Sequence, residues 1–348
     1  MIGEYRVVVV ILAGRRRYME CLLPYLLREE AVDEVRFWVN TTDKEDIAWI
    51  RQASFSYAKC VMEDRGFRPN NPPGNQFNQF YDKCIDPKTV YVKIDDDIVW
   101  LQKDCIKKLA TYHIEHPEHF VVHANVFNNG VCDYLNACSG LFDGLPKGGM
   151  DAACGLYWKE PWMAVLKHEH VLKMLQHHED ELPHFDPYIF TPAIRVSINC
   201  LTWLGSEFAK FEGKVPHDDE VWMSLTKPNE LKKSTVILRE AYCSHYAYYT
   251  QRELLDRTGV LDKYRNLIIR TLDQKPISES ERMKIKEIHL QDGCCSAKNF
   301  VSKSFALLNR KIEKPQAVIQ VVIPVVIPEK VGFFDSLKKF RIFSNKLV

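Results

Sequence analysis

The apolar positions of the first hundred residues follow two alternating rhythms. Val7–Leu12 is an unbroken, β-branched apolar run, the pattern of a strand covered on both faces. Across Tyr18–Arg28 the apolar residues Met19, Leu22, Leu23, Leu26 and Leu27 recur at helical spacing. Val35–Asn40 then reads as a strand, Asp43–Gln52 as a helix capped by Asp43, and Lys59–Met62 as a short strand. Gln76–Cys84 reads as a helix and Thr89–Ile94 as a strand. Strands separated by helices predict parallel βαβ units, hence an α/β fold with an open, mostly parallel sheet flanked by helices. Such sheets take ligands beyond the carboxyl ends of their strands. Three turns fall there: Arg15-Arg16-Arg17, Asn40-Thr41 and Asp95-Asp96-Asp97.

From about residue 120 to 250 the pattern is less regular and more aromatic, with Trp158, Trp162, Trp203 and Trp222. Asp133–Gly149, rich in Gly, Asn and Asp, reads as a loop. Beyond Gln251 the character changes. Arg252–Thr271 and Ser278–Leu290 read as charged helices, and Val318–Pro328 as an edge strand or a packing arm interrupted by Pro324. In Gly332–Val348, aromatic and aliphatic residues at helical spacing alternate with lysine and arginine. That tail suits an anionic membrane surface or its own domain equally. The division expected is a catalytic region over 1–250, with halves meeting near 118, and a helical extension over 251–348. Residues 318–348 are the candidates for oligomer contact.

Charge and composition narrow the class. The 348 residues carry 47 basic and 46 acidic side chains, a net charge of +1 that makes no case for nucleic acid as a partner. Val7–Leu12 is too short for a membrane span, and the arginines follow it instead of preceding it as in a secretory signal. Neither a signal peptide nor a transmembrane helix is expected. The 11 cysteines, without CxxC spacing, fit reduced thiols in a cytoplasmic protein, peripheral to a membrane if the tail binds one.

The chemistry starts at the acid triplet. Three adjacent carboxylates flanked by Ile94 and Ile98-Val99 repel one another and are costly to desolvate, so they call for a positive partner. A hard cation such as Mn²⁺ or Mg²⁺, held by one or two carboxylates and completed by water and phosphate oxygens, meets that need. Asp95 and Asp97, two apart, project to one side of an extended backbone. Asp96, opposite, suits a ribose hydroxyl or the turn itself, and Lys93 is placed to support the acids.

A βαβ region ending in strand–Asp95-Asp96-Asp97–apolar segment resembles the metal-dependent glycosyltransferases of GT-A fold, with their DxD motif. Pro216-His217-Asp218-Asp219-Glu220-Val221-Trp222 resembles their second acidic motif, whose acid at a helix start is the general base in inverting members. Asp219 matches that position best, with Asp218 and Glu220 as rivals. The resemblance also implies a late histidine as metal ligand beside Asp95 and Asp97, matched by His245. It implies nucleotide contacts from the first turns, matched by Arg15, Arg16, Arg17, Asn40 and Thr41, with Gln76, Asp95 and Asp96 nearby. The implied donor is a nucleotide-diphosphate sugar, UDP- or GDP-linked, and the implied acceptor a glycan or glycoconjugate hydroxyl. Trp158, Trp162 and Trp222 are candidates to line the acceptor cleft, since the apolar face of a sugar packs on an indole.

Three alternatives stay open at this level. A retaining glycosyltransferase shares the fold and the metal motif. A sugar-phosphate nucleotidyltransferase uses a similar sheet, but Ala13-Gly14-Arg15-Arg16-Arg17 lacks the Gly-rich loop. A cation-dependent carbohydrate-binding protein would need more oxygen ligands than Ile98-Val99-Trp100-Leu101 supplies.

Overall fold

Four strands build the parallel half of the sheet, each from an apolar run: β1 (Arg6–Ala13), β2 (Glu34–Val39), β3 (Cys60–Glu63) and β4 (Thr89–Ile94). Val7 to Val10 of β1 and all of β4 are buried, which is why neither shows polar alternation. Helix α1 (Arg16–Arg28) turns Tyr18, Met19, Leu22, Leu23 and Leu26 inward, and α2 (Lys44–Ser56) follows β2. Asp43 caps α2 by accepting the N–H groups of Glu45 and Asp46. The segment Asn75–Lys83 forms a tight 3-10 helix. The computed structural model describes residues 1–64, 75–145, 147–152, 158–178 and 182–273, with backbone alone at 75–77, 177–178 and 269–273.

After the acid turn come β5 (Ile98–Leu101), α3 (Cys105–Glu115), β6 (Val121–Phe127), α4 (Gly130–Cys138) and α5 (Pro161–His178). These are followed by β7 (Tyr188–Phe190), β8 (Cys200–Leu204) and α6 (Gly205–Ala209). Next stand α7 (Asp219–Val221), a π-helical turn (Trp222–Thr226) and α8 (Lys227–Glu230). Then β9 (Thr235–His245), α9 (Arg252–Arg257) and α10 (Val260–Asp273) complete the described chain. The sheet has nine strands in the order β3-β2-β1-β4-β8-β6-β9-β5, with β7 on β9. Strand β8 runs antiparallel to β4 and β6, β6 is parallel to β9, and β5 and β7 are antiparallel to β9.

This register decides what meets at one edge. Strands β1, β2, β4, β6 and β9 all end there, whereas β5 and β8 begin there: Ile98 pairs with His245 and Ile94 with Cys200. Beneath the sheet lies an aromatic core of Phe80, Tyr81, Trp203, Phe208 and Phe120, with Trp222 packed against it. Among the described residues no helix is long and apolar enough to cross a membrane.

Two expected elements come out differently. The loop expected at Asp133–Gly149 begins as helix α4, because Asn129 caps it by accepting the N–H groups of Val131 and Cys132. The helix expected over Arg252–Thr271 is broken at Gly259, whose φ of +68° ends α9 and lets α10 start afresh. Ser278–Leu290, Val318–Pro328 and Gly332–Val348 lie outside the described residues.

Candidate functional site

Gly14 sits where β1 leaves the sheet, and a Cβ there would stand 2.7 Å from the Asn40 carbonyl oxygen, so only glycine lets the two strand exits lie this close. Its N–H donates to Asp96 Oδ2 at 2.9 Å. The Arg15 guanidinium grips the acid turn from the same side: Nε donates to Asp96 Oδ1 at 2.7 Å and Nη1 to Asp97 Oδ2 at 2.7 Å. Asp96 and Asp97 are both buried. Asp96 is thus spent on fastening the turn to β1.

The flanking acids face different partners. Because Asp95–Ile98 is a turn, closed by Ile98 N–H donating to the Asp95 carbonyl at 3.2 Å, strand alternation does not apply and the two carboxylates part company. Asp95 Oδ1 takes the Lys93 ammonium at 2.5 Å, and Asp95 Oδ2 takes the Asn199 amide at 3.0 Å. Asp97 Oδ1 faces His245 Nε2 at 3.6 Å, and Asp97 Oδ2 lies 3.6 Å from the Arg252 guanidinium. His245 Nδ1 lies 3.3 Å from the Asn128 carbonyl, which makes Nδ1 an N–H donor and turns Nε2 toward Asp97. Burial alone would raise the Asp97 carboxyl, but His245, Arg15 and Arg252 outweigh it and hold it well below the usual range. Burial disfavours the charged imidazole of His245, and Asp97 more than offsets it, raising the ring's affinity for a proton.

Those contacts test the fit of a divalent cation. His245 Nε2 and a carboxylate oxygen 3.6 Å apart, the first oriented through its other nitrogen, form a two-donor set that water and phosphate oxygens would complete. Asp95, held by Lys93 and Asn199, stands outside that set. The residues fit a cation bound by Asp97 and His245.

The second acidic motif meets the other flank. Asp218 is the cap of α7, accepting the Val221 N–H at 3.1 Å. Glu220 accepts from Arg195 at 2.8 Å. Asp219 Oδ2 accepts from the Tyr81 hydroxyl at 3.0 Å, and burial pushes its carboxyl upward against the opposing charge of Lys93. Lys93 feels Asp95, Asp219 and Glu220 together, which keep the buried ammonium charged. A carboxylate raised by burial and steadied by one ammonium is suited to take up a proton.

Beside β1, a cavity of about 460 Å³ is lined by Gly14, Arg15, Arg16, Arg17, Glu20, Glu45 and Asp46. Arg16 Nε donates to Glu20 and its backbone N–H to Asp46, while Arg17 pairs with Asp256 and covers the Tyr18 ring. Thr41 is occupied at the start of α2, accepting from Asp43 N–H, whereas the buried Oδ1 of Asn40 has no hydrogen-bond partner. The Gln76 side chain lies outside the described residues.

Of the three tryptophans, Trp222 is committed to the core, edge-on to Phe211 at 5.1 Å. Trp158 packs on Tyr249 at 5.6 Å, and Trp162 and Tyr249 are exposed. Asn199, Arg252, Tyr81 and Arg195 carry no motif of their own. They reach the site from 104, 155, 138 and 25 residues away along the chain from Asp95, Asp97, Asp219 and Glu220, and only the sheet register brings the first of these in.

No protein-family model and no curated protein matches the chain. Among solved structures, it is similar to a mannosyltransferase of Pyrobaculum calidifontis in complex with GDP-Man and Mn²⁺, at 10% identity and a TM-score of 0.44, over 89% of this chain and 82% of that one. It is also similar to TarS of S. aureus in complex with UDP-GlcNAc, at 12% identity and a TM-score of 0.39, over 88% and 76%. A shorter likeness, to a 4-diphosphocytidyl-2C-methyl-D-erythritol synthase of Anaerococcus prevotii, has 15% identity and a TM-score of 0.27 over 35% of this chain and 55% of that one. At such values these are likenesses of chain path, and none of them assigns a residue here.

Proposed function

We propose that this chain is a divalent-metal-dependent glycosyltransferase of GT-A type, moving a sugar from a UDP- or GDP-linked donor to a glycan or glycoconjugate hydroxyl with inversion. The observation that carries this reading is the split of one acid turn into two chemistries. Asp97 faces His245 on one flank, and Asp95 joins Lys93 beside Asp219 on the other.

Asp97 and His245 would hold Mn²⁺ or Mg²⁺, which when bound neutralises the donor diphosphate and the charge that grows on it as it leaves. Arg15 and Arg252, both beside Asp97, add fixed positive charge for the same oxygens. The Gly14–Arg17 cavity takes the nucleoside, with Asn40, whose backbone carbonyl lies against Gly14, beside it. Asp219 accepts the acceptor's hydroxyl proton as that oxygen bonds to the anomeric carbon. The bond from that carbon to the diphosphate breaks, and the electron pair leaves with the nucleoside diphosphate. Tyr81 holds the Asp219 carboxylate in place, and Trp158, Tyr249 and Trp162 offer the apolar surface on which a sugar acceptor packs.

Thermal-shift titration with UDP-, GDP- and dTDP-sugars, with and without Mn²⁺, tests the reading, since a ligand that binds the native state alone raises its stability. A metal-dependent rise with one nucleotide class is expected. No rise with any of them refutes it.

A further inference from the structure

We propose a second metal site, for a borderline transition ion of the Zn²⁺ type, at the opposite edge of the sheet, formed by His116, Glu118 and His119. One ligand atom from each lies within 4.8 Å of the other two. His116 Nδ1 stands 3.2 Å and His119 Nε2 3.8 Å from Glu118 Oε1. Tetrahedral bonds of about 2.1 Å set donors about 3.4 Å apart, so little movement closes the set on an ion.

Two further observations point to a ligand. His119 is 5% exposed, and its Nε2 is buried without a hydrogen-bond partner, although burying a bare ring nitrogen is costly. Its Nδ1 lies 2.6 Å from Ser234 Oγ. With that nitrogen as the donor, the Nε2 lone pair is turned toward Glu118, the arrangement by which an outer partner readies an imidazole for a metal. The Tyr112 ring, 4.4 Å from that of His116 and 6.0 Å from that of His119, holds both rings in place. The nearby positive charge of Lys233 is engaged by Glu207 at 2.8 Å.

The donor set separates this site from the first. Two imidazoles and one carboxylate suit Zn²⁺, whereas a site completed by phosphate oxygens suits Mg²⁺ or Mn²⁺. Position gives its role. His116 ends α3, Phe120 N–H donates to the Ser234 carbonyl as β6 enters beside β9, and Ser234 immediately precedes β9. An ion here joins the end of α3 to the start of the strand pair. His245 lies at the far end of β9, which pairs with β6 from Thr235↔Val121 to Ser244↔Phe127, so the two sites are roughly 23 Å apart at about 3.3 Å per residue of β6. The ion would stabilise the fold without entering the reaction.

The test is Zn²⁺ equilibrium dialysis and the visible absorption of bound Co²⁺, on the full chain and in an Asp97→Asn background that removes the first site. One ion per chain is expected to persist in Asp97→Asn, with intense tetrahedral Co²⁺ bands and a raised melting temperature. His116→Gln and Glu118→Gln, both at the surface, should lose that ion while unfolding as the metal-free parent does. Ser234→Ala should weaken binding by roughly 10- to 100-fold. Retention of the ion in His116→Gln and Glu118→Gln, or its absence from Asp97→Asn, overturns the proposal.

Discussion

Lys93→Met removes one charge from the centre of the site while keeping most of the stem. The ammonium it deletes lies 2.5 Å from Asp95 and also donates to the Ile198 carbonyl at 3.0 Å. Removing one partner of a fully buried pair costs roughly 3–5 kcal/mol, because a bare charge stays behind. Lys93 is buried, but the Asp95 side chain is 27% exposed and keeps its Asn199 hydrogen bond, so water recovers part of that cost. We expect a loss of about 2–3 kcal/mol. In a chain of this size, at about 2.1 cal/mol/K of unfolding entropy per residue, each kcal/mol moves the midpoint by roughly 1–2 °C, giving a fall of about 2–6 °C in a thermal melt at pH 7.5. Lys93→Met/Asp95→Asn, which takes away the orphan charge, should recover about half of it, a positive coupling in the double-mutant cycle. A second readout concerns Asp219. Lys93 opposes the upward push of burial on that carboxyl, so without it the carboxyl rises further and the acid limb of kcat/KM moves to higher pH. A single variant costing under about 1 kcal/mol, or a double variant no more stable than the single one, would refute the account of Lys93 as the charge that makes this cluster tolerable.

Three more outcomes follow from the same contacts. Asp219→Asn should leave metal-dependent donor binding intact by thermal shift while transfer falls by at least roughly 100-fold, the lower range of general-base effects; loss of donor binding refutes the assignment of the base. Asp97→Asn should abolish the Mn²⁺ dependence of the donor-induced shift, and an unchanged dependence would move the cation elsewhere. Glu29 is buried, and burial first and Asp104 second push its carboxyl up to about 7, above its unfolded value. A raised folded value means that folding takes up a proton, so this group's contribution is harmless below about pH 4 and increasingly unfavourable as the pH rises toward 7. Glu29→Gln should therefore equal the parent near pH 4 and exceed it in urea unfolding at pH 8; equal stability at both pH values contradicts the argument.

The parallel half of the fold could be read from the chain because its strands are buried on both faces and its helices on one. Val7–Leu12 and Thr89–Ile94 show this, each within a residue or two of the structure. Asp43 gave its helix away by position, since a cap is a local device. The sequence misled where the decisive contact was local but unremarked, as with Asn129 capping α4 inside an expected loop. In the site, Asp97 and His245 stood out in the sequence as an acid in the turn after one strand and a histidine at the end of another, and the structure sets them face to face. Asp95 was aligned with Asp97 on strand geometry, and the Asp95–Ile98 turn separated them. Asn199 and Arg252 could not be foreseen: they matter through a pairing register and a chain return, which no neighbouring residue encodes.

The Gly14–Asp96–Arg15 fastening has an evolutionary consequence. With the middle acid fixed to the exit of β1, the hydrogen-bond and ion-pair partners described for Asp97 and for Asp95 are different residues, and the two acids share a backbone turn and the longer-range charge of Arg15 and His245. On the proposed function, a lineage could remodel the partners of Asp219 without disturbing the surroundings of Asp97, or those of Asn40 and Arg16 without disturbing Asp219. Inheritance would then act on two separately variable halves, and the residue costliest to exchange would be Asp96, the one member of the triplet bonded to the Gly14 N–H at the exit of β1.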